Sequence, residues 1–213
     1  METGSRPSPR WEHTDLPFSL GYLGHPIPRG PHICQVYTSP EERMDAVFDF
    51  LRSALESGEQ TYFISERPTD EILAEFLAGV GVSLDDARRS GQFHASANRD
   101  FYLKGGFDPQ RLVDTWATIL RDARAKGSPA LWAIGDVLPE LCCMQGGTQL
   151  VIYESKLEEW MQCNRATILC QYDARAFDAC TIMNVLRVHP LVLANGRVAE
   201  CPFFTGPAPV RSH

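Results

Sequence analysis

The sequence lacks both a run of basic residues and a long hydrophobic run. Its 27 acidic residues outnumber its 20 basic residues, which gives a formal net charge of −7. Nucleic-acid-binding domains usually carry a basic excess on one face, so direct binding of DNA or RNA is disfavoured. No apolar stretch approaches the roughly 20 residues that span a bilayer, and residues 1–10 lack the hydrophobic core of a signal peptide. We therefore predict a cytoplasmic protein that does not interact with membranes.

A phosphate-binding loop is also missing from the place where a nucleotide-binding α/β domain carries it. A strand is predicted over residues 32–37, and a helix start follows at Thr38-Ser39-Pro40-Glu41-Glu42. Residues 37–46 contain no glycine and no lysine, and two glutamates stand where phosphate needs positive potential. A G-x-S-x-G nucleophile motif is absent as well. We expect no ATP hydrolysis and no enzyme activity, although Asp136 and Glu154 are carboxylates of the kind that acid–base catalysis uses.

The seven cysteines lack the spacing of a disulfide scaffold or of a structural zinc site. Four lie in or beside apolar segments, as expected of reduced, buried thiols: Cys34, Cys163, Cys170 and Cys180. Cys142 and Cys143 are adjacent in an irregular stretch and are candidate ligands of a thiophilic metal. Inert loop thiols are the favoured interpretation, and a mixed site with His32, His189 or Cys201 remains open.

Strand-like and helix-like segments alternate from residue 32 onward. Near-continuous apolar strands separated by amphipathic helices predict an α/β fold, with a mostly parallel central sheet and helices on both faces. We expect residues 1–31 to form an extended arm, residues 32–204 a single domain and residues 205–213 a tail. The predicted strands cover residues 32–37, 61–65, 92–96, 129–134, 167–172 and 191–193.

Polar residues lie at the edges of several predicted strands. Ligands of parallel sheets bind at the carboxyl ends of strands, where such side chains can meet and perturb one another's pKa values. An alternative of equal weight is that His32 and His189 only cap strands and satisfy backbone groups. The candidate ligand-binding residues are His32, Cys34, Tyr37, Asp136, Glu154, Tyr172 and His189.

The order of short motifs resembles the MEDS domain, a sensory domain named for methanogens and methylotrophs and found in dichloromethane-responsive repressors. The resemblance spans about residues 31–204. Two stretches differ from the family pattern: Val137-Leu138-Pro139, and Cys201-Pro202-Phe203-Phe204 near the end. The matching motifs are His32-Ile33-Cys34 with Tyr37, Gly58-Glu59, Gly105-Gly106-Phe107-Asp108, Tyr153-Glu154, Cys170-Gln171-Tyr172-Asp173 and His189-Pro190-Leu191.

The resemblance implies a three-layer RecA/KaiC-like fold that has lost its phosphate loop. Asp136 then stands where active relatives of that superfamily place a magnesium-associated acid. The implied ligand is a small one-carbon-related or hydrophobic signal, and the implied partner is a regulatory protein. Residues 1–31 are too few for an attached DNA-binding module, so we expect output through a separate protein or a homo-oligomer.

Three functions follow from these observations. The leading hypothesis is a non-catalytic sensor of a small-molecule or redox signal, whose ligand lies at the carboxyl rim between the first, fourth and fifth strands. The second is a metal- or cofactor-binding protein, or an enzyme, that uses Cys142 and Cys143 with nearby histidines. The third is an interaction module that binds through Trp11, Trp160 or Phe203-Phe204.

Overall fold

The computed structural model describes residues 30–66, 70–79, 81–142, 148–194 and 197–206, so the predicted arm lies almost entirely outside the described residues. Among the described residues, no helix combines the length and the apolar composition that crossing a membrane requires. A single 3₁₀ turn, Pro139–Cys142, follows the fourth strand. In chain order the elements are β1 (His32–Tyr37), α1 (Pro40–Glu56), β2 (Gln60–Ile64), α2 (Asp70–Gly79), α3 (Leu84–Arg89), β3 (Phe93–Ser96), α4 (Asn98–Leu103), α5 (Pro109–Ala125), β4 (Leu131–Asp136), α6 (Gln149–Met161), β5 (Ala166–Asp173), α7 (Ala179–Val188), β6 (Leu191–Ala194) and β7 (Arg197–Glu200).

The seven strands form one sheet in the order β3-β2-β4-β5-β1-β6-β7. All pairs are parallel except β6 with β7, which is antiparallel. The predicted α/β fold with a mostly parallel sheet is therefore confirmed. Two short elements, α4 and β7, were not predicted from the sequence. The first has no side-chain cap at its start, and the second has four largely exposed residues without an apolar pattern.

Two hydrophobic cores lie on opposite faces of the sheet. Leu51 of α1 and Leu77 of α2 pack on one face against strand residues such as Leu169. Trp116 of α5 and Leu157 of α6 pack on the other face. Because side chains alternate along a strand, β1, β2, β4 and β5 each supply both cores. Helices thus cover both faces, as the sequence predicted.

Gly135 in β4 lies directly beneath the buried hydroxyl of Tyr102. A Cβ atom at this position would meet that hydroxyl well inside van der Waals contact. We expect Gly135→Ala to lower the free energy of unfolding by about 1–3 kcal/mol, the usual cost of overpacking a core, in urea denaturation. In a Tyr102→Phe background the closest remaining atom is the ring carbon Cζ at 3.7 Å, so the loss should shrink. Equal losses in both backgrounds would contradict this explanation.

Candidate functional site

The predicted site residues fall into two groups on opposite sides of the sheet. Tyr37 and Asp136 lie at the carboxyl ends of β1 and β4, in a group that we call the rim group. The side chains of the other five predicted residues do not face this rim group, although Tyr172 is next to the last residue of β5. They are buried between the sheet and helices α6 and α7, in a group that we call the buried group: His32, Cys34, Glu154, Tyr172 and His189.

The alternation of side chains along β1 explains the separation. His32 and Cys34 are two residues apart and face the same side of the strand, whereas Tyr37 faces the other side. His32 also stands at the amino end of β1, a full strand length from the rim. The sequence predicted that several of these residues meet near one rim, and the structure places them in two separate groups.

Asp136 is the centre of the rim group. Its carboxylate lies 3.2 Å from the Arg43 guanidinium, and it accepts hydrogen bonds of 3.4 Å from the hydroxyls of Tyr37 and Ser65. Burial raises the pKa of Asp136, and the Arg43 charge opposes that rise. Burial and Asp136 together raise the pKa of Tyr37, which stays a neutral donor. The group therefore contains one ion pair and two neutral hydroxyls at a partly open edge of the sheet.

The start of α1, where a phosphate loop would bind its ligand, is filled by the chain itself. Ser39 caps the helix by accepting a hydrogen bond of 3.2 Å from the backbone N–H of Glu42. The Glu42 carboxylate accepts hydrogen bonds from the backbone N–H and the hydroxyl of Thr38, at 2.9 and 3.0 Å. A carboxylate thus occupies the favourable position for an anion at this helix start.

Two buried glutamines connect the first turn of α1 to the middle of the sheet. The Gln171 amide donates to the Gln35 side chain at 2.7 Å and to the backbone oxygen of Arg43 at 3.3 Å. The Gln35 amide donates to the backbone oxygen of Glu42 at 3.2 Å. Hydrogen bonds to the backbone of Glu42 and Arg43 therefore join the first turn of α1 to β1 and β5.

Glu154 is the centre of the buried group. Its Oε1 accepts a hydrogen bond of 2.6 Å from the Tyr172 hydroxyl. Its Oε2 lies 3.3 Å from His32 Nε2, 3.7 Å from His189 Nε2 and 3.7 Å from the Cys170 sulfur. Glu154 and both histidines are fully buried, so none of these contacts is weakened by competing water.

The second ring nitrogen of each histidine faces an oxygen. His32 Nδ1 lies 3.3 Å from the Glu158 carboxylate, and His189 Nδ1 lies 2.7 Å from the backbone oxygen of Val185. The ring centroids of the two histidines are 3.9 Å apart. Both Nε2 atoms consequently point towards the carboxylate of Glu154.

The two histidines have opposite protonation tendencies. Burial alone lowers the pKa of an imidazole, but the carboxylates of Glu154 and Glu158 outweigh it and raise the pKa of His32 to about 9. Burial and the neighbouring His32 charge lower the pKa of His189 to about 3. Burial opposes ionisation of Glu154, yet His32 and His189 hold its pKa below the ordinary value. At neutral pH the group contains an imidazolium, a neutral imidazole and a carboxylate.

Two thiols complete the buried group. Cys34 and Cys170 are register partners on β1 and β5, and the Cys170 sulfur lies 3.4 Å from His32 Nε2. Burial and the charge of Glu154 raise the pKa of both thiols well above the ordinary value. Both are therefore protonated at neutral pH, unlike the thiolates of reactive cysteines.

The candidate metal ligands differ from those that the sequence indicated. Cys142 ends the 3₁₀ turn and packs against the core on the α5 and α6 side, and Cys143 lies outside the described residues. The Cys201 thiol donates to the backbone oxygen of Leu186. Within the described ranges, the side chains placed to hold a metal ion together are His32, Glu154, Cys170 and His189.

Four residues of these groups were missed as site residues, and two of them had a usable signal. Cys170 precedes Tyr172 by two positions and so shares its side of β5. Glu158 follows Glu154 by four positions and so shares its face of α6. Arg43 and Ser65 had no signal. The approach of Ser65 to Asp136 depends on the pairing of β2 with β4, and that of Arg43 depends on how α1 packs on the sheet.

Comparison with known proteins identifies a family. The family model "MEthanogen/methylotroph, DcmR Sensory domain" (MEDS) matches residues 31–190. The transcriptional repressor DcmR of Methylorubrum extorquens (strain DSM 6343 / CIP 106787 / DM4) is 24% identical over 159 residues, which are 74% of this chain and 57% of that protein. The chain thus spans little more than half the length of this relative.

Solved structures with the same fold are distant in sequence. A KaiC-like protein from Pyrococcus horikoshii OT3 superposes with a TM-score of 0.54 at 12% identity, covering 83% of this chain and 76% of the other. The flagellar accessory protein FlaH from Methanocaldococcus jannaschii gives 0.55 at 11% identity, covering 84% and 79%. The predicted RecA/KaiC-like fold is confirmed by these likenesses.

Proposed function

The chain belongs to the MEDS family of sensory domains, and from this premise we propose that it is a non-catalytic cytoplasmic sensor. It binds a small-molecule signal at the rim group and relays the change to a regulatory protein or to a second copy of itself. One observation carries the proposal. At the place of a phosphate site, the Glu42 carboxylate binds the backbone N–H of Thr38, and Arg43 forms an ion pair with Asp136.

Arg43 is the proposed recognition residue. Its side chain is only 11% exposed, and its Nε atom is buried without a hydrogen-bond partner among the described residues. A buried unsatisfied donor is destabilising until a ligand or water accepts from it. The rim therefore suits a small molecule that carries one hydrogen-bond acceptor, and the family resemblance implies that this molecule is one-carbon-related or hydrophobic.

The relay starts at the first turn of α1. A ligand that draws the Arg43 guanidinium away from Asp136 shifts the backbone that Gln35 and Gln171 hold. Those two glutamines lie in the central strands β1 and β5. Movement at the rim is thereby transmitted into the sheet and towards the helices packed on it.

The two thiols of the buried group are poor candidates for sensing a redox signal. Cys34 and Cys170 are fully buried, and their raised pKa values keep them as thiols. Oxidants react with the thiolate form, which these two sites disfavour.

The test is ligand binding by the full chain. One-carbon and short-chain hydrophobic molecules are screened by thermal shift, and hits are measured by calorimetry. A true ligand at 100 times its Kd stabilises the folded protein by about 2.7 kcal/mol. We expect Arg43→Gln to weaken binding at least about tenfold, as the loss of a charged hydrogen bond costs roughly 1.5–3 kcal/mol.

Arg88→Gln is the matched control. Arg88 forms an ion pair with Asp70 on the surface, away from the rim, so this variant should bind like the wild type. Binding that survives both Arg43→Gln and Asp136→Asn would place the ligand elsewhere, and a wild type that binds none of the molecules would argue against small-molecule sensing.

A further inference from the structure

Four buried side chains present their donor atoms to a common point inside the protein. They are His32 Nε2 of β1, Glu154 Oε2 of α6, Cys170 Sγ of β5 and Nε2 of His189, the residue that follows α7. Their donor atoms all lie within 4.8 Å of one another, and all four residues are buried. We propose that these residues bind a divalent transition-metal ion of the zinc type.

Four of the six separations between the donor atoms lie close to those of a tetrahedral site, and all six are within 4.8 Å. Metal–nitrogen and metal–oxygen bonds of about 2.0–2.2 Å and a metal–sulfur bond of about 2.3 Å place the ligand atoms of a zinc tetrahedron roughly 3.3–3.6 Å apart. His32 Nε2 lies 3.3 Å from Glu154 Oε2 and 3.4 Å from Cys170 Sγ. Glu154 Oε2 lies 3.7 Å from both Cys170 Sγ and His189 Nε2. Small side-chain adjustments therefore suffice to enclose an ion.

The contacts around the four ligands are those that metal-binding side chains need. A ligating histidine normally directs its second nitrogen at a carboxylate or a backbone oxygen. His189 Nδ1 forms a hydrogen bond of 2.7 Å with the backbone oxygen of Val185. His32 Nδ1 lies 3.3 Å from the Glu158 carboxylate, at ion-pair distance but outside hydrogen-bond geometry. The Tyr172 hydroxyl holds Glu154 by Oε1 and leaves Oε2 directed at the other three donors.

An unpartnered nitrogen is the second, independent observation. His189 Nε2 is fully buried and has no hydrogen-bond partner among the described residues. With Nδ1 donating to Val185, the neutral ring keeps the Nε2 lone pair directed towards the cluster. An ion pair of His32 with Glu154 satisfies the charges of those two residues, but it leaves the lone pair of His189 Nε2 without a partner. A metal ion would accept this lone pair as a coordination bond.

The donor set selects the class of ion. Two imidazoles, one thiolate and one carboxylate suit Zn²⁺ or Co²⁺, whereas Ca²⁺ and Mg²⁺ require oxygen ligands. Binding transfers one proton from the Cys170 thiol and one from the His32 imidazolium to the solvent. With four protein ligands the site is closed, as in structural rather than catalytic zinc sites. The proposal does not depend on the ligand of the rim group.

Cobalt binding tests the proposal directly. Because the site is buried, the full chain is unfolded in denaturant together with a chelator that removes bound metal. The chelator is then removed, and the chain is refolded in the presence of Co²⁺. We expect one Co²⁺ per chain, a near-ultraviolet thiolate-to-cobalt absorption band, and displacement of Co²⁺ by Zn²⁺. Cys170→Ser should abolish the band, and the control Cys142→Ser should keep it.

Glu158→Gln provides a variant that retains all four ligands. It should keep the cobalt band and weaken Zn²⁺ affinity about 10- to 100-fold, as loss of an outer carboxylate contact does elsewhere. The control Glu159→Gln, an exposed neighbour on α6, should not change the affinity. Refolded wild type without stoichiometric cobalt, or a band lost in Cys142→Ser but kept in Cys170→Ser, would overturn the proposal.

Discussion

Glu154→Gln should lower the free energy of unfolding by about 3–5 kcal/mol, the usual cost of removing one partner of a buried ion pair. The carboxylate lies 3.3 Å from His32 Nε2 and accepts the hydrogen bond of Tyr172 at 2.6 Å. The amide removes the negative charge that stabilises the buried imidazolium. Urea denaturation in the presence of a chelator measures this loss independently of metal binding.

Two further variants test whether the lower free energy of unfolding of Glu154→Gln comes from its ion pair with His32. Glu159→Gln lies on the same helix but is exposed, so it should change stability by no more than about 0.5 kcal/mol. His32→Gln combined with Glu154→Gln should cost less than the sum of the single variants, because neither charge is then left alone. A loss below about 1 kcal/mol for Glu154→Gln would place the effect within the range of ordinary hydrogen bonds and refute the ion pair.

Trp116→Ala should destabilise the protein by about 3–5 kcal/mol through the cavity that it leaves. Trp116 is 1% exposed, its ring centroid lies 4.8 Å from that of Phe101, and its indole N–H donates to the Tyr153 hydroxyl at 3.0 Å. The substitution removes both the ring packing and the hydrogen-bond donor. Thermal and urea denaturation measure the change.

Trp160→Ala is the comparison for Trp116→Ala. Trp160 lies on α6 and packs against the same core while remaining half-buried. Truncating it should cost clearly less, because part of its surface is in water before the substitution. Similar losses in the two variants would contradict the assignment of Trp116 to the centre of this core.

The alternation of strands and helices was predictable from the sequence because short local patterns of residues determine where each element begins. The start of α1 illustrates this: a capping hydroxyl at Ser39, a proline at the first helical position and early acidic residues predict a helix there without knowledge of the fold. The structure has that cap and that proline. Short elements such as α4 and β7 carry too few residues for a pattern, and tertiary contacts decide their conformation.

The candidate site was only partly predictable. His32, Glu154, Tyr172 and His189 were identified as polar residues at the edges of predicted strands. Their assignment to one rim with Asp136 failed because side chains alternate along each strand, and α6 and α7 pack on the side of the sheet opposite to the Asp136 carboxylate. From the sequence, Cys170, the fourth proposed metal ligand, was interpreted only as a small buried hydrophobic residue in a strand.

The sequence by itself determined the mostly parallel α/β fold, the family and the absence of a phosphate loop after β1. Each of these depends on residue types at short spacing, such as Glu41 and Glu42 in place of glycine and lysine. Only the tertiary structure decided that Glu154 lies between His32 and His189, and that Arg43 pairs with Asp136. These contacts join residues far apart in the chain, and their distances depend on strand order and helix packing.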